Sequence, residues 1–182
     1  MSTATTKAAT LAHVRITPAA AMTWLGVIFA GAIFGFFYAW VCSTMWGLDA
    51  TDPRVAIQAM QAMNASVRNP VFFPAFFLTP VVLGFAAVLA WFERRLTSAW
   101  LLAAAGLLYL GGALMVTATI NVPMNEALAL VQIPADDAAA RQIWTDYSSA
   151  WQIWNTIRTV VSGVGLGLAG AALIALPRVR RS

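Results

Sequence analysis

The chain has 182 residues, of which 60% are hydrophobic and 10% charged, with a mean hydropathy of +0.75. Soluble domains carry roughly 25% charged residues, so the composition excludes an ordinary soluble domain and assigns the chain to a lipid bilayer. The net charge of +4 comes from scattered basic residues without interleaved aromatics. That pattern fits orientation in a membrane and not nucleic-acid binding.

Residues 1–22, Ala- and Thr-rich with Lys7, His13 and Arg15, read as a cytoplasmic tail. The apolar run from Trp24 to Trp46 exceeds a signal-peptide core, which spans ~7–15 residues. It reads as a retained transmembrane helix. Within it Gly31 and Gly35 form a G-x-x-x-G pair, a strip along which a neighbouring helix can pack. Cys42, the single cysteine, lies in the same run, so no internal disulfide and no cysteine metal cluster can form. The single histidine, His13, sits in the tail. Residue inventory therefore excludes a histidine-held metal or haem inside the membrane, and neither metal nor cofactor is expected.

Asp52-Pro53 is a helix start, with an acceptor at the N-cap and proline at the first helical position. Ala56, Met60, Met63 and Val67 then share one face, with Arg54, Gln58, Gln61 and Arg68 opposite. The pattern predicts a short amphipathic helix that lies on the membrane surface or roofs the bundle. The second membrane helix, about 71–92, carries Phe72, Phe73, Phe76 and Phe77. Pro74 and Pro80 inside it predict a bend. Glu93-Arg94-Arg95 and a short turn lead to the third helix, about 99–120, which ends where Pro123 interrupts Asn121-Val122-Pro123-Met124-Asn125-Glu126. Residues 127–150 form a second outer loop whose helix starts at Asp136-Asp137 and runs through Trp144 and Tyr147. The last span, about 154–176, stops at Pro177 before a basic cytoplasmic tail at 178–182. Gly106, Gly111 and Gly112 in the third helix and the G-x-x-x-G pair Gly163 and Gly167 in the last are further small packing positions.

The expected fold class is an all-α membrane protein. Residues 23–177 form a bundle of four transmembrane helices, with short amphipathic helices in both outer loops. Four crossings place Lys7, Arg15, Arg94, Arg95, Arg178, Arg180 and Arg181 on one side. The positive-inside rule then makes both termini cytoplasmic, in a multi-pass protein of the plasma (inner) membrane.

The candidate site follows from Trp151-Gln152-Ile153-Trp154-Asn155-Thr156-Ile157-Arg158. On a helix Trp151, Trp154, Asn155 and Arg158 share a face, and stepping back four and seven residues adds Tyr147 and Trp144. An ionisable group at the mouth of an apolar segment is a functional-site hypothesis by default. Counting ~20 residues per crossing brings Asn69, Asn121, Asn125, Glu126, Asn155 and Arg158 to one level at the outer face. The structural alternative is an aromatic belt with helix-end amides and a snorkelling arginine. The functional one is a pocket in which amides and a guanidinium hold a planar polar ligand while tryptophans stack on it.

In its Gly/Phe-rich first helix, Asn121-Val122-Pro123-Met124-Asn125, and Trp151 to Arg158, the chain resembles the DUF1772 group, the anthrone oxygenase-like membrane proteins. The likeness runs from about Met22 to Leu176. It implies a four-helix membrane protein and, for relatives in aromatic polyketide pathways, oxidation of anthrones to anthraquinones without an evident metal or flavin. For such chemistry Arg158, Glu126 and Asn155 are the catalytic candidates, Glu126 as base and Arg158 stabilising the anion. Asn69, Asn121, Asn125, Trp151, Trp154 and Tyr147 are the substrate-binding candidates. The expected partners are the bilayer and a lipophilic aromatic small molecule, with a homo-oligomer or larger membrane complex left open. The competing reading is a non-enzymatic ligand-binding protein or accessory subunit.

Overall fold

The computed structural model describes residues 16–176. The expected tail residues 1–15 and 178–182 lie outside the described residues. Every regular element within 16–176 is helical: α1 (Pro18–Asp49), α2 (Pro53–Ser66), α3 (Phe72–Phe92), α4 (Leu96–Ala129) and α5 (Asp137–Ala175). All but α2 are long and apolar enough to cross a membrane. The four-span all-helical class is therefore what the chain adopts.

The helices are longer than the apolar runs, because their ends are set by caps and not by hydropathy. Thr17 caps α1 by accepting from the Ala20 amide, with Pro18 at the first position, so the helix begins inside the expected tail. Asp52 caps α2 in the same way. The Arg54 guanidinium hydrogen-bonds the Asp52 carboxylate and holds its pKa at about 2, so this cap stays charged. Asp136 caps α5 through the Ala139 amide, and α5 then runs unbroken for 39 residues. The expected second loop helix is thus the first third of α5.

Pro123 does not end the third helix. Two π turns, Leu110–Met115 and Thr117–Asn121, precede it in α4, and the helix continues to Ala129. A wider turn relieves the clash between a proline ring and the carbonyl four residues back. Pro74 falls in the first turn of α3, where its missing N–H costs nothing, so Pro80 alone interrupts that helix. Pro80 removes the donor that would bond the Phe76 carbonyl. The buried Tyr109 hydroxyl from α4 supplies it instead, at 2.9 Å. Tyr109→Phe should therefore lower stability by about 1–3 kcal/mol. Thermal unfolding in detergent reads this, and the Pro80→Ala/Tyr109→Phe double variant should recover most of the loss by restoring the backbone donor.

Three buried clusters stack along the bundle. Small residues such as Ala86, Ala90, Ala99, Ala105 and Ala172 let the helices approach at one end. Here Glu93 accepts from the Ala19 amide at 2.9 Å and Ser98 donates to the Ala172 carbonyl at 3.0 Å, so the α3–α4 turn meets the start of α1 and the end of α5. Arg94 occupies that turn at φ +60°, closing α3 with the Arg95 amide on Ala90 and its own on Trp91. An aromatic layer of Phe37, Phe76 and Tyr109 lies in the middle. At the other end α2 buries Ala56, Ile57 and Met60 against Trp40, Trp144, Tyr147 and Trp151. Of the two placements open to α2, the structure takes the roof.

The expected Gly31/Gly35 strip is not a packing seam. A Cβ at Gly35 would meet nothing within 4 Å, and one at Gly31 only the tip of Leu166 at 4.0 Å. The tightest approach is at Gly112, where a Cβ would stand 2.5, 3.0 and 3.1 Å from three side-chain atoms of Val161, and Gly26 and Gly163 are also close, 2.8 Å from Leu83 and 2.9 Å from Phe34. Valine is stiff about χ1, so it cannot swing its whole side chain clear. Gly112→Ala should cost about 1–3 kcal/mol of stability while Gly35→Ala changes little. A Gly112→Ala/Val161→Ala pair that stayed as unstable as the single variant would disprove the clash.

Candidate functional site

The roofed end of the bundle holds a cavity of about 280 Å³. Phe36, Phe37 and Trp40 of α1 and Phe72, Phe73, Phe76 and Phe77 of α3 form its apolar walls. Met63, Asn64, Val67 and Arg68 close it from the roof side. Thr117, Val122, Asn125 and Glu126 of α4 and Trp151 and Arg158 of α5 supply the remaining wall. Seven of these residues are aromatic rings of α1 and α3, so a flat apolar ligand suits the space.

Arg158 is 4% exposed. Its Nη1 donates to Thr117 Oγ1 at 3.1 Å and its Nη2 to Asn155 Oδ1 at 2.9 Å, while its Nε has no partner. The ion pairs among the described residues are Arg54–Asp52, Arg54–Asp137, Arg68–Glu126 and Arg141–Asp137. Arg158 is in none of them. The guanidinium carbon lies 4.5 Å from the Phe37 ring centroid and 5.3 Å from that of Trp151. Each such contact offsets about 1–2 kcal/mol. Burying a cation without its counter-charge costs several kcal/mol. The site therefore holds a positive charge that its own side chains leave uncompensated.

Asn155 stands behind Arg158 and not on the cavity wall. Its Nδ2 donates to the Phe37 carbonyl at 3.1 Å, near the π turn Trp40–Thr44, and its oxygen then faces the guanidinium. Thr117 does the same from α4, spending its proton on the Ala113 carbonyl and offering a lone pair to Arg158. All three π turns lie in the roofed halves of α1 and α4, and such turns recur at functional sites.

A second network fixes Asn125. Its oxygen accepts from the Tyr147 hydroxyl at 2.8 Å and from Trp151 Nε1 at 3.0 Å, and Asn64 donates to the same hydroxyl at 3.3 Å. With both acceptor positions used, Asn125 Nδ2 is the donor left for a ligand. Tyr147 acts through Asn125 and does not reach the wall, whereas Trp151 does both.

Of the remaining sequence candidates, Glu126 alone reaches the cavity wall. Asn69 accepts from the Val71 and Phe72 amides at the start of α3 and donates to the Ser66 carbonyl; it borders a neighbouring groove and not the cavity. Glu126 is on the cavity wall, but its side chain is 59% exposed and 3.3 Å from Arg68. Asn121 is 1% exposed, with neither amide atom bonded, and does not line the cavity. Trp154 is half-buried on the flank of the stripe and also off the wall.

Several residues at this end carry no sequence label. Phe36 and Phe37 are hidden in an evenly apolar helix. Thr117 could have been found as the third member of a Thr117, Asn121, Asn125 stripe at four-residue spacing. Asp49 accepts from Trp144 Nε1 at 2.9 Å, Ser148 at 2.7 Å and Gln152 at 2.9 Å, tying the end of α1 to α5.

A family model described as anthrone oxygenase matches residues 66–168, more than half of the chain. The matched segment takes in Asn125, Glu126, Trp151 and Arg158 but not α1, which supplies Phe36, Phe37 and Trp40. No curated protein and no solved structure matches the chain.

Proposed function

The chain belongs to the anthrone oxygenase family, and on that premise we propose that its cavity binds a lipophilic aromatic molecule as the phenolate or enolate anion and promotes its oxidation by dioxygen. The observation that carries this reading is Arg158, a buried cation with an unused Nε–H and no carboxylate partner, set in a wall of aromatic rings. An anionic oxygen beside it supplies the missing counter-charge, and the electrostatic gain grows where water is excluded. Asn125 Nδ2 offers a second donor, while Asn155 and Thr117 hold the guanidinium in place.

Glu126 is the carboxylate on this wall and serves as the base that takes the substrate's C–H proton. The resulting carbanion, delocalised onto the oxygen facing Arg158, passes one electron to dioxygen. The radical pair joins through a new C–O bond, and protonation gives a hydroperoxide. Loss of water from it leaves a carbonyl, so a methylene and dioxygen become a carbonyl and water. Glu126→Gln should lower anthrone turnover by roughly 10²-fold with binding little changed. Oxygen uptake and anthraquinone absorbance measure the first, and tryptophan quenching the second.

A second reading draws on the exposure of Glu126 and its pairing with Arg68: the cavity binds the aromatic anion without turning it over, in a ligand-binding or accessory protein. Wild-type protein that binds an anthrone but consumes no oxygen would establish it. The charge pattern supports an inner-membrane protein with the α3–α4 turn and both termini cytoplasmic, which puts the roofed cavity at the outer leaflet.

A further inference from the structure

Beside the Arg158 cavity, between the roofed halves of α1 and α3, runs a wider groove of about 610 Å³. Phe36, Trp40, Met63, Val67 and Phe72 line both spaces, so the two are separated by a wall one side chain thick. The Phe36 and Phe72 ring centroids are 4.8 Å apart in that wall. Beyond it the groove is bounded by Ala32, Ile33, Val71 and Ala75. It contains no charged residue. Its polar side chains, Ser66 and Asn69, are already occupied by the Met63 carbonyl and by the capping of α3. The lining is mainly aliphatic and aromatic, so what fits the groove best is hydrocarbon.

We propose that the groove takes the apolar tail of the ligand whose aromatic head sits at Arg158, making the substrate class a phenol- or enol-bearing ring with an alkyl or isoprenoid chain. The proposal rests on the aromatic-anion reading of the cavity. The head is held by charge and stacking in the inner space, and the chain leaves past Phe36 and Phe72 between α1 and α3 towards lipid. Because lipid tails are as apolar as the groove, the groove selects by shape and not by hydrophobic gain. It decides which substituted heads have somewhere to put a chain.

The test uses the full chain in lipid nanodiscs, with empty nanodiscs as the partition blank. The probes are a hydroxynaphthalene and the same ring carrying a dodecyl chain, followed by tryptophan quenching. Ala32 and Ala75 line the groove and not the inner cavity, so Ala32→Phe and Ala75→Leu each fill the groove from its far side. The expected result is about tenfold weaker binding of the chain-bearing probe in these variants, with the ring-only probe unchanged. Equal affinity of both probes in wild type and variants, or loss of both together in both variants, overturns the tail assignment. Arg158→Gln separates this from the underlying reading. If it leaves binding of the ring-only probe in its ionised form intact, the anion reading itself falls, whereas a failed tail test with Arg158-dependent binding of that ionised ring removes the tail alone.

Discussion

Arg158→Gln is expected to reduce turnover of an anthrone by about 10²–10³-fold, the effect of removing a preorganised donor from a developing oxyanion. It should abolish the preference of the cavity for an ionised over a neutral ring, while the aromatic walls keep neutral rings bound. Arg158→Lys should fall between, because an ammonium carries the charge but cannot span both Thr117 Oγ1 and Asn155 Oδ1 as the fork does. Stability gives an independent check. A cation buried without an acid partner destabilises the ligand-free protein, so Arg158→Met should raise its Tm or leave it unchanged. A structural clamp would behave in the opposite way. Loss of several degrees in Arg158→Met, together with unaltered anion binding in Arg158→Gln, would return Arg158 to a helix-packing role.

Asn125→Leu is expected to be the most damaging polar substitution at the roofed end, at about 2–4 kcal/mol. It strands two buried donors, the Tyr147 hydroxyl and Trp151 Nε1, each of which costs ~1–3 kcal/mol unpaired. It also frees the Trp151 ring from its position 5.3 Å from the Arg158 guanidinium. Asn125→Asp keeps an acceptor for both donors and so should keep the fold. Its added negative charge, though, competes with an anionic ligand for the same wall, and binding should weaken. The paired outcome, with Leu losing stability and Asp losing ligand, distinguishes an acceptor that holds the site from one that merely borders it. Asn125→Leu as stable as wild type in detergent unfolding would remove the network from the account.

The first loop shows how far a local signal reaches. Asp52-Pro53 fixed where α2 begins, and the apolar spacing fixed which face it would bury, because capping and periodicity are properties of neighbouring residues. Neither could say whether that face met lipid or protein. The answer depended on Trp40, Trp144 and Trp151 arriving from other helices. Pro123 is the converse case. A proline ordinarily stops a helix, yet here two π turns absorb it, and those turns were not visible in the residue pattern. The glycines divide in the same way: the sequence marks Gly31, Gly35, Gly112 and Gly163 alike as packing positions, but close contacts form at Gly112 and Gly163, where Val161 and Phe34 oppose them.

By itself the sequence determined an all-helical chain with four spans long and apolar enough to cross a membrane, and placed Asn125 and Arg158 at one level of it. Those conclusions follow from composition, span length and helical period, which every stretch of chain carries locally. Only the tertiary structure decided which polar residues line the cavity. Asn155 turned to brace Arg158, Asn69 became a helix cap, and Trp154 stayed on the flank. It also brought in Phe36, Phe37 and Phe72 to enclose the guanidinium without any acid beside it. Whether a buried charge is paired depends on side chains far apart in sequence. That is why the arginine could be picked out from its helix, but its missing partner only from the packed bundle.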